Sequence, residues 1–348
     1  MSASNRGDSP PTKHLVVNFT KRDLILYALG IGCCSNDYKG EELRFVYERF
    51  PSFQMFPTFL LSTYFAAESK ANGHSGIRRF PPQSMSLSKN ESGIIPTMYL
   101  KNADNVQGLK DLPILHMSQS LVIHNEISLV DSNEDDHPVR INLQTRIVSI
   151  RPRNIGTFVT TETKYYQKES CIATAQMTAL VFGLSREKVV PYQGLDNNAK
   201  NGKIATNNKA TEKTVHEFTI PANAALLYRL SGDYNPIHVE GTDDNLGDDT
   251  ENGPILHGLC TMGYATRAIL MHAKRFSKRE LHLTAIRCNF VKPVFVSNTI
   301  RIEVWGVKND GMDGHVSVCF CLYRADSEDK LVDKGYAVLV QSKTTSKL

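Results

Sequence analysis

The run HGLCTMGYATRAILMHAKRF, residues His257 to Phe276, carries the strongest structural signal in the chain. Leu259, Met262, Thr266, Ile269, Leu270, Ala273 and Phe276 recur at steps of three and four, the period of one helix face. Gly258 and Gly263 are small residues near its start, and Lys274 and Arg275 suit the negative end of a helix dipole. A helix with one apolar stripe must bury it against another layer. The flanking sequence supplies that layer. Upstream, Val215–Ile220 (VHEFTI) reads as a short strand, and Pro221–Leu230 as a short helix with proline in its first turn. Downstream, Leu281–Val291, Thr299–Val307, His315–Arg324 and Leu331–Gln341 read as strands. Ile300, Ile302 and Val304 alternate with polar residues in the second of these, as do Val316, Val318, Phe320 and Leu322 in the third. Turn residues separate them. One strand, one long helix and then an antiparallel meander predict a twisted sheet wrapped round a central helix.

The N-terminal half echoes the meander. Ser118–Ile127, Val139–Ile150, Thr157–Gln167 and Cys171–Phe182 are strand patterns of similar length and spacing. Two helices are expected before them, Leu24–Cys33 and Glu41–Phe50, with a further segment Pro57–Ala67. Glu68–Gly93 is rich in Ser, Gly, Pro and Arg and shows no long amphipathic helix. The expected fold class is α+β, a double hot-dog: two related antiparallel sheets around a central helix, the helix reduced or lost in the first. The expected boundaries are a disordered leader at 1–14, a first repeat at 15–193, a polar linker at 194–212, a second repeat at 213–342 and a tail at 343–348.

Composition narrows the class. Of 348 residues, 41% are hydrophobic and 22% charged, which excludes collagen-like, coiled-coil and wholly disordered chains. No stretch approaches the roughly 20 apolar residues that span a bilayer. The start, MSASNRGDSPPTKH, lacks the apolar core of a secretory signal. The net charge of +4 comes from scattered Lys and Arg with no basic stripe, so no nucleic-acid partner is expected. Seven cysteines show no CxxC spacing, which predicts buried free thiols in a reducing compartment and no metal site. The last three residues, Ser346-Lys347-Leu348, form the peroxisomal address read by an import receptor.

Chemistry-bearing residues gather in YRLSGDYNPIH, Tyr228 to His238, followed by PILHG, Pro254 to Gly258. The spacing of Asp233 and His238 does not place them on one helix face, and Asn235-Pro236 marks a turn between them. Such a turn can fold a carboxylate and an imidazole onto one water. Gly258, at the helix start, offers a backbone N–H with no side chain to block approach. These parts suit proton transfer beside a thioester carbonyl. Residue types alone favour the plainer reading, Asp233 and Asn235 as turn formers and His238 as an ordinary loop histidine.

The segment SGDYNPIH, Ser231 to His238, resembles the hydratase 2 motif of the MaoC-like family. That motif occurs in peroxisomal (R)-specific 2-enoyl-CoA hydratases and in the hydratase part of multifunctional enzyme type 2. PILHG resembles the start of the family's central helix, and FVKPV, Phe290 to Val294, its characteristic strand end. ILYALGIG, Ile25 to Gly32, with Pro57–Phe59, resembles the eukaryotic two-repeat form, so the likeness runs over most of residues 15–342. The resemblance implies syn addition of water to trans-2-enoyl-CoA, giving (3R)-3-hydroxyacyl-CoA. By motif match, Asp233 and His238 hold the water and handle the protons at C2 and C3. Asn235 would position the substrate or those side chains, and the Gly258 N–H would stabilise the enolate oxygen. The first repeat, lacking its central helix, would leave room for long or bulky acyl tails. No cofactor is implied beyond the coenzyme A of the substrate, and a homodimer is implied.

Further substrate contacts follow from the same resemblance. LHMSQ, Leu115 to Gln119, resembles the family's L-H-G-E-Q, which points to His116 and Met117, although Met117 and Ser118 depart from that pattern. By residue type, His116 and His124 are also satisfied structural histidines. Arg153 matches a hairpin position where relatives carry a basic residue for coenzyme A phosphate; a solvated turn arginine fits equally. Phe290 would contact the coenzyme A arm, although a strand aromatic also suits a core. His257 is given a structural role at the helix start. The acidic run Asp243–Glu251 is expected to be a surface loop. The other classes this fold hosts are a non-catalytic acyl-CoA binder and an acyl-CoA thioesterase.

Overall fold

Two successive units of the chain lay down their strands in the same order. In the computed structural model the first unit begins with β1 (Lys13–Phe19) and three helices, α1 (Lys21–Gly30), α2 (Leu43–Val46) and α3 (Phe59–Ala71). It continues with β2 (Ile114–Ile123), β3 (Val139–Pro152), β4 (Gly156–Gln167), β5 (Ser170–Phe182) and the short β6 (Tyr192–Gln193). The second unit comprises β7 (Thr214–Thr219), α4 (Ala224–Tyr228), α5 (Gly258–Ala273), β8 (Leu281–Phe290), β9 (Thr299–Val307), β10 (His315–Arg324) and β11 (Lys330–Gln341). The described residues are 10–35, 40–71, 95, 97–101, 112, 114–129, 138–194, 213–240, 253–273, 281–307 and 315–341.

One antiparallel sheet joins both units in the order β1-β3-β4-β5-β2-β8-β11-β10-β9-β7, with β6 on β3. From either edge inward the order is first, third, fourth, fifth and second strand of the unit. The seam is the β2–β8 pair, in register from Ser118 with Asn289 to Val122 with Ala285. Identical topology on both sides of the seam makes the chain a double hot-dog.

The predicted strands of the second unit agree with β8 to β11 to within a residue at each end. Other expectations need correction. Lys13 and His14, placed in the leader, begin β1 and pair with Thr145 and Gln144 of β3. β2 starts at Ile114 and ends at Ile123, earlier than Ser118–Ile127. A bulge between His116 and Ser118 breaks the period of two there, which hides the strand from an alternation count. The helix expected over Glu41–Phe50 is only α2. Pro57–Ala67 is largely α3, which packs chiefly against β1. The leader up to residue 9, most of Glu68–Gly93, the linker, the acidic run, Lys274–Phe276 and the tail lie outside the described residues.

The long helix is buried more completely than its stripe predicts. All residues of α5 from Leu259 to Ala273 are buried except Met271. One side meets β8, β9 and β10, and the other meets the first unit. At Gly263 a Cβ would stand 2.4 Å from Ile31 Cγ2, so only glycine permits this approach. Buried polar residues of α5 are partnered: Thr266 Oγ1 donates to the Met262 carbonyl at 2.9 Å, and Arg267 Nε to Glu42 Oε1 at 2.7 Å. Among the described residues, no helix is long and apolar enough to cross a membrane.

Candidate active site

The motif Ser231–His238 is held by its own short turns. A 3-10 turn, Arg229–Ser231, ends α4, and Gly232 follows at φ +131°. A Cβ on Gly232 would stand 2.6 Å from the Ala66 amide nitrogen, so glycine lets α3 pack directly behind the motif. Asn235 then accepts from the Ile237 N–H at 3.2 Å through Oδ1, while its own N–H donates to Asp233 Oδ1 at 3.3 Å. Proline at 236 opens the next 3-10 turn, Pro236–His238. This capped turn folds His238 back toward Asp233. Their functional atoms and a ring nitrogen of His257 all lie within 4.8 Å of one another.

Hydrogen bonds fix which ring nitrogens keep a lone pair. His238 Nδ1 faces the Ile255 carbonyl at 2.7 Å and must donate, which leaves the lone pair on Nε2. His257 Nε2 faces the backbone carbonyl of Asp233 at 3.1 Å and must also donate. The two imidazoles stack with centroids 3.6 Å apart, and the Tyr228 ring lies 4.9 Å from that of His257. Sequence reading gave His257 only a helix-start role and gave Tyr228 none; neither function leaves a local pattern.

Burial sets the charges. It pushes the Asp233 carboxyl up, opposed by the nearby His238 charge and the Asn235 N–H. The same cause pushes His238 down, opposed by Asp233 and the Ile255 carbonyl, and pushes His257 well below an ordinary imidazole. A carboxyl whose protonated form is favoured thus faces an imidazole whose neutral form is favoured. The trio is a poor metal cage. Nitrogen lone pairs lie in the ring planes, and stacked planes inclined by only 24° do not aim two of them at one ion.

Gly258 opens α5, so its backbone N–H belongs to the set that a helix start leaves without intrahelical partners. The Phe290 ring packs over it, with ring carbons 3.4 to 3.5 Å from where a Cβ would sit. His116 meets the same ring edge-on at 4.8 Å. Burial lowers the His116 imidazole to about 4, and its Nε2 donates to the Ser118 carbonyl at 3.1 Å. Met117 is the residue skipped by the register of β2, which takes its backbone out of the ladder beside Phe290. The structure therefore brings together Asp233, Asn235 and His238 on one side, and Gly258, Phe290 and His116 on the other, with His257 between. Arg153 stands apart, exposed in the β3–β4 hairpin, where its N–H donates to the Gly156 carbonyl at 2.8 Å. His124 lies just beyond β2 and is bonded to Thr174 Oγ1 at 2.9 Å.

Comparison with known proteins gives a consistent picture. Residues 203–319 match the model of the MaoC like domain, and residues 17–88 that of the MFE-2 hydratase 2 N-terminal domain. The peroxisomal multifunctional enzyme type 2 of Drosophila melanogaster is 26% identical over 298 residues, 82% of this chain but only 41% of that protein. The peroxisomal enoyl-CoA hydratase 2 of Arabidopsis thaliana is 25% identical over 304 residues, 85% of this chain and 84% of that one. In three dimensions, a MaoC-like dehydratase from Phytophthora capsici matches with a TM-score of 0.65 at 24% identity, over 96% of this chain and 97% of that chain.

Proposed function

Starting from a chain that belongs to the MaoC-like hydratase 2 family, we propose that it adds water reversibly to trans-2-enoyl-CoA to give (3R)-3-hydroxyacyl-CoA. The observation that carries this reading is the convergence of Asp233 and His238, a carboxyl and an imidazole whose functional atoms lie within 4.8 Å and whose protonation equilibria shift in opposite directions. A water between them donates to His238 Nε2, the nitrogen left with a lone pair. Its oxygen adds to C3 of the enoyl group as its proton passes to His238. The Asp233 carboxyl, whose protonated form desolvation favours, gives a proton to C2. Both events take place on one face of the double bond, which makes the addition syn. Proton transfer from His238 to Asp233 through the next water restores the starting pair.

Charge develops on the thioester oxygen as C3 is attacked. The Gly258 N–H at the positive end of α5 is placed to meet it, and one such donor is typically worth about 2.7–4 kcal/mol in the transition state. Asn235 holds the Asp233 carboxyl in position through its N–H. Phe290, His116 and the bulged Met117 line the approach for the coenzyme A arm, and Arg153 serves its phosphates from the hairpin. The reaction requires no cofactor beyond the coenzyme A of the substrate. The peroxisomal names of the relatives support work in fatty acid β-oxidation in that organelle, with Ser346-Lys347-Leu348 as the address. A homodimer goes with this reading.

A spectrophotometric assay on crotonyl-CoA tests the activity. Loss of the enoyl absorbance without thiol release, giving the (3R) product on chiral analysis, is the expected result. Thiol release indicates a thioesterase instead, and no change indicates a binding protein.

A further inference from the structure

Four aromatic rings run in contact from the first unit to the proposed base. Tyr27 on α1 meets Tyr228 on α4 with centroids 5.6 Å apart, Tyr228 meets His257 at 4.9 Å, and His257 stacks on His238 at 3.6 Å. The far end of this column is firmly held. Tyr27 is fully buried and packs edge-on against Phe59 at 5.5 Å, and its hydroxyl donates to the buried Thr58 Oγ1 at 2.8 Å. Tyr228 is buried as completely, at 1% exposed. Gly30, three residues after Tyr27, lets α1 and α4 close on each other, since a Cβ there would stand 3.2 Å from Tyr228 Cα.

Orientation is what such a column can supply. His238 takes up a proton through the Nε2 lone pair, which lies in the plane of its ring. The Nδ1 bond to the Ile255 carbonyl fixes one edge of that ring, and the stack on His257 fixes its plane. His257 is in turn packed against Tyr228, and Tyr228 against Tyr27. A buried ring in close-packed surroundings keeps one orientation. A misplacement of about 1 Å between reacting groups costs on the order of a hundredfold in rate.

We infer that Tyr27 and Tyr228 are positioning residues for the proposed hydration, holding the ring plane of His238, through His257, against the helices of the first unit. Neither handles a proton. The inference rests on the hydratase reading and gives the first unit a part in the chemistry of the second.

The test measures crotonyl-CoA hydration by variants at both positions, with thermal unfolding as the check that each folds. Tyr228→Met and Tyr27→Met keep apolar bulk but remove the ring. Each is expected to lower kcat by about tenfold or more while KM changes by less than about threefold. Tyr228→Phe and Tyr27→Phe keep the ring and are expected to stay within about threefold of wild type. In the His238→Gln background, Tyr228→Met is expected to lower turnover no further, because the ring it orients no longer acts. Should neither Met variant fold, Gly30→Ala, which presses α1 off Tyr228 and leaves every ring in place, decides by the same fall in kcat at little-changed KM. Wild-type kcat in the folded variants is the outcome of a merely structural role and overturns the inference. A Phe variant as slow as its Met counterpart, or a full further loss in the His238→Gln background, also overturns it. These results in an enzyme that hydrates crotonyl-CoA sink the inference alone; a wild type that does not hydrate crotonyl-CoA sinks the hydratase reading and the inference with it.

Discussion

His257 touches both members of the proposed acid–base pair: its ring stacks on His238 with centroids 3.6 Å apart, and its Nε2–H is donated to the backbone carbonyl of Asp233 at 3.1 Å. One side chain from the start of α5 therefore sets the position of two groups in a separate turn. His257→Leu, which removes the donor and the stack, is expected to lower kcat by about tenfold to a hundredfold through misplacement, with a smaller change in KM. His257→Gln, which restores an N–H donor, is expected to recover part of the loss. Steady-state kinetics on crotonyl-CoA decide it, and equal kcat in wild type and His257→Leu would refute the positioning role.

Asp233→Asn and His238→Gln are each expected to reduce turnover by at least about a hundredfold with the circular dichroism spectrum unchanged. The double variant is expected to be little worse than either alone, because the two act on one water. Near-normal turnover in either single variant would remove the proposed chemistry.

Acid is expected to destabilise the fold through buried histidines. The unfolded chain takes up protons near the ordinary imidazole value of 6.5, whereas burial holds folded His116 neutral down to about 4. Stability is therefore fully present above pH 6.5 and is lost progressively as pH falls toward 4. His238 and His257 shift in the same direction, and Asp233, pushed up, works in the opposite one. His116→Gln is expected to flatten the fall of the unfolding temperature across this window. A slope identical to wild type would count against it.

Gly232→Ala places a Cβ against the Ala66 backbone at a φ of +131°. Strain of this kind typically costs about 1–3 kcal/mol, and the clash adds to it. Denaturant unfolding is expected to show a loss of at least that size. A neutral substitution would mean that α3 does not pack behind the motif.

The ion pair between Arg267 and Glu42 ties α5 to the first unit, with the Arg267 side chain 4% exposed. Glu42→Ala leaves that charge unpaired and is expected to cost about 3–5 kcal/mol. Glu42→Leu combined with Arg267→Met is expected to be milder, because no buried charge is left behind. A double variant no more stable than Glu42→Ala would argue against the pair as the source of the loss.

Local pattern was enough for β8 to β11, since each alternates apolar and polar residues between clear turn residues, and for α5, whose stripe recurs at the helical period. By itself it left Asp233 and Asn235 as turn formers and His238 as a loop histidine; the resemblance of SGDYNPIH and PILHG to a known family singled them out together with Gly258. Local pattern failed at α3: FLLSTYFAAESKA is apolar for most of its length and so shows no stripe. That helix is recognised by what it packs against, β1 and the turn before Gly232. It failed at the start of β2, where one bulged residue breaks the alternation. The lone-pair nitrogen of His238, the contacts of His257 and the rings that join Tyr27 to them emerged only on folding. Each depends on hydrogen-bond direction or ring contact between segments far apart in the chain, and such contacts impose no periodicity on the residues that make them.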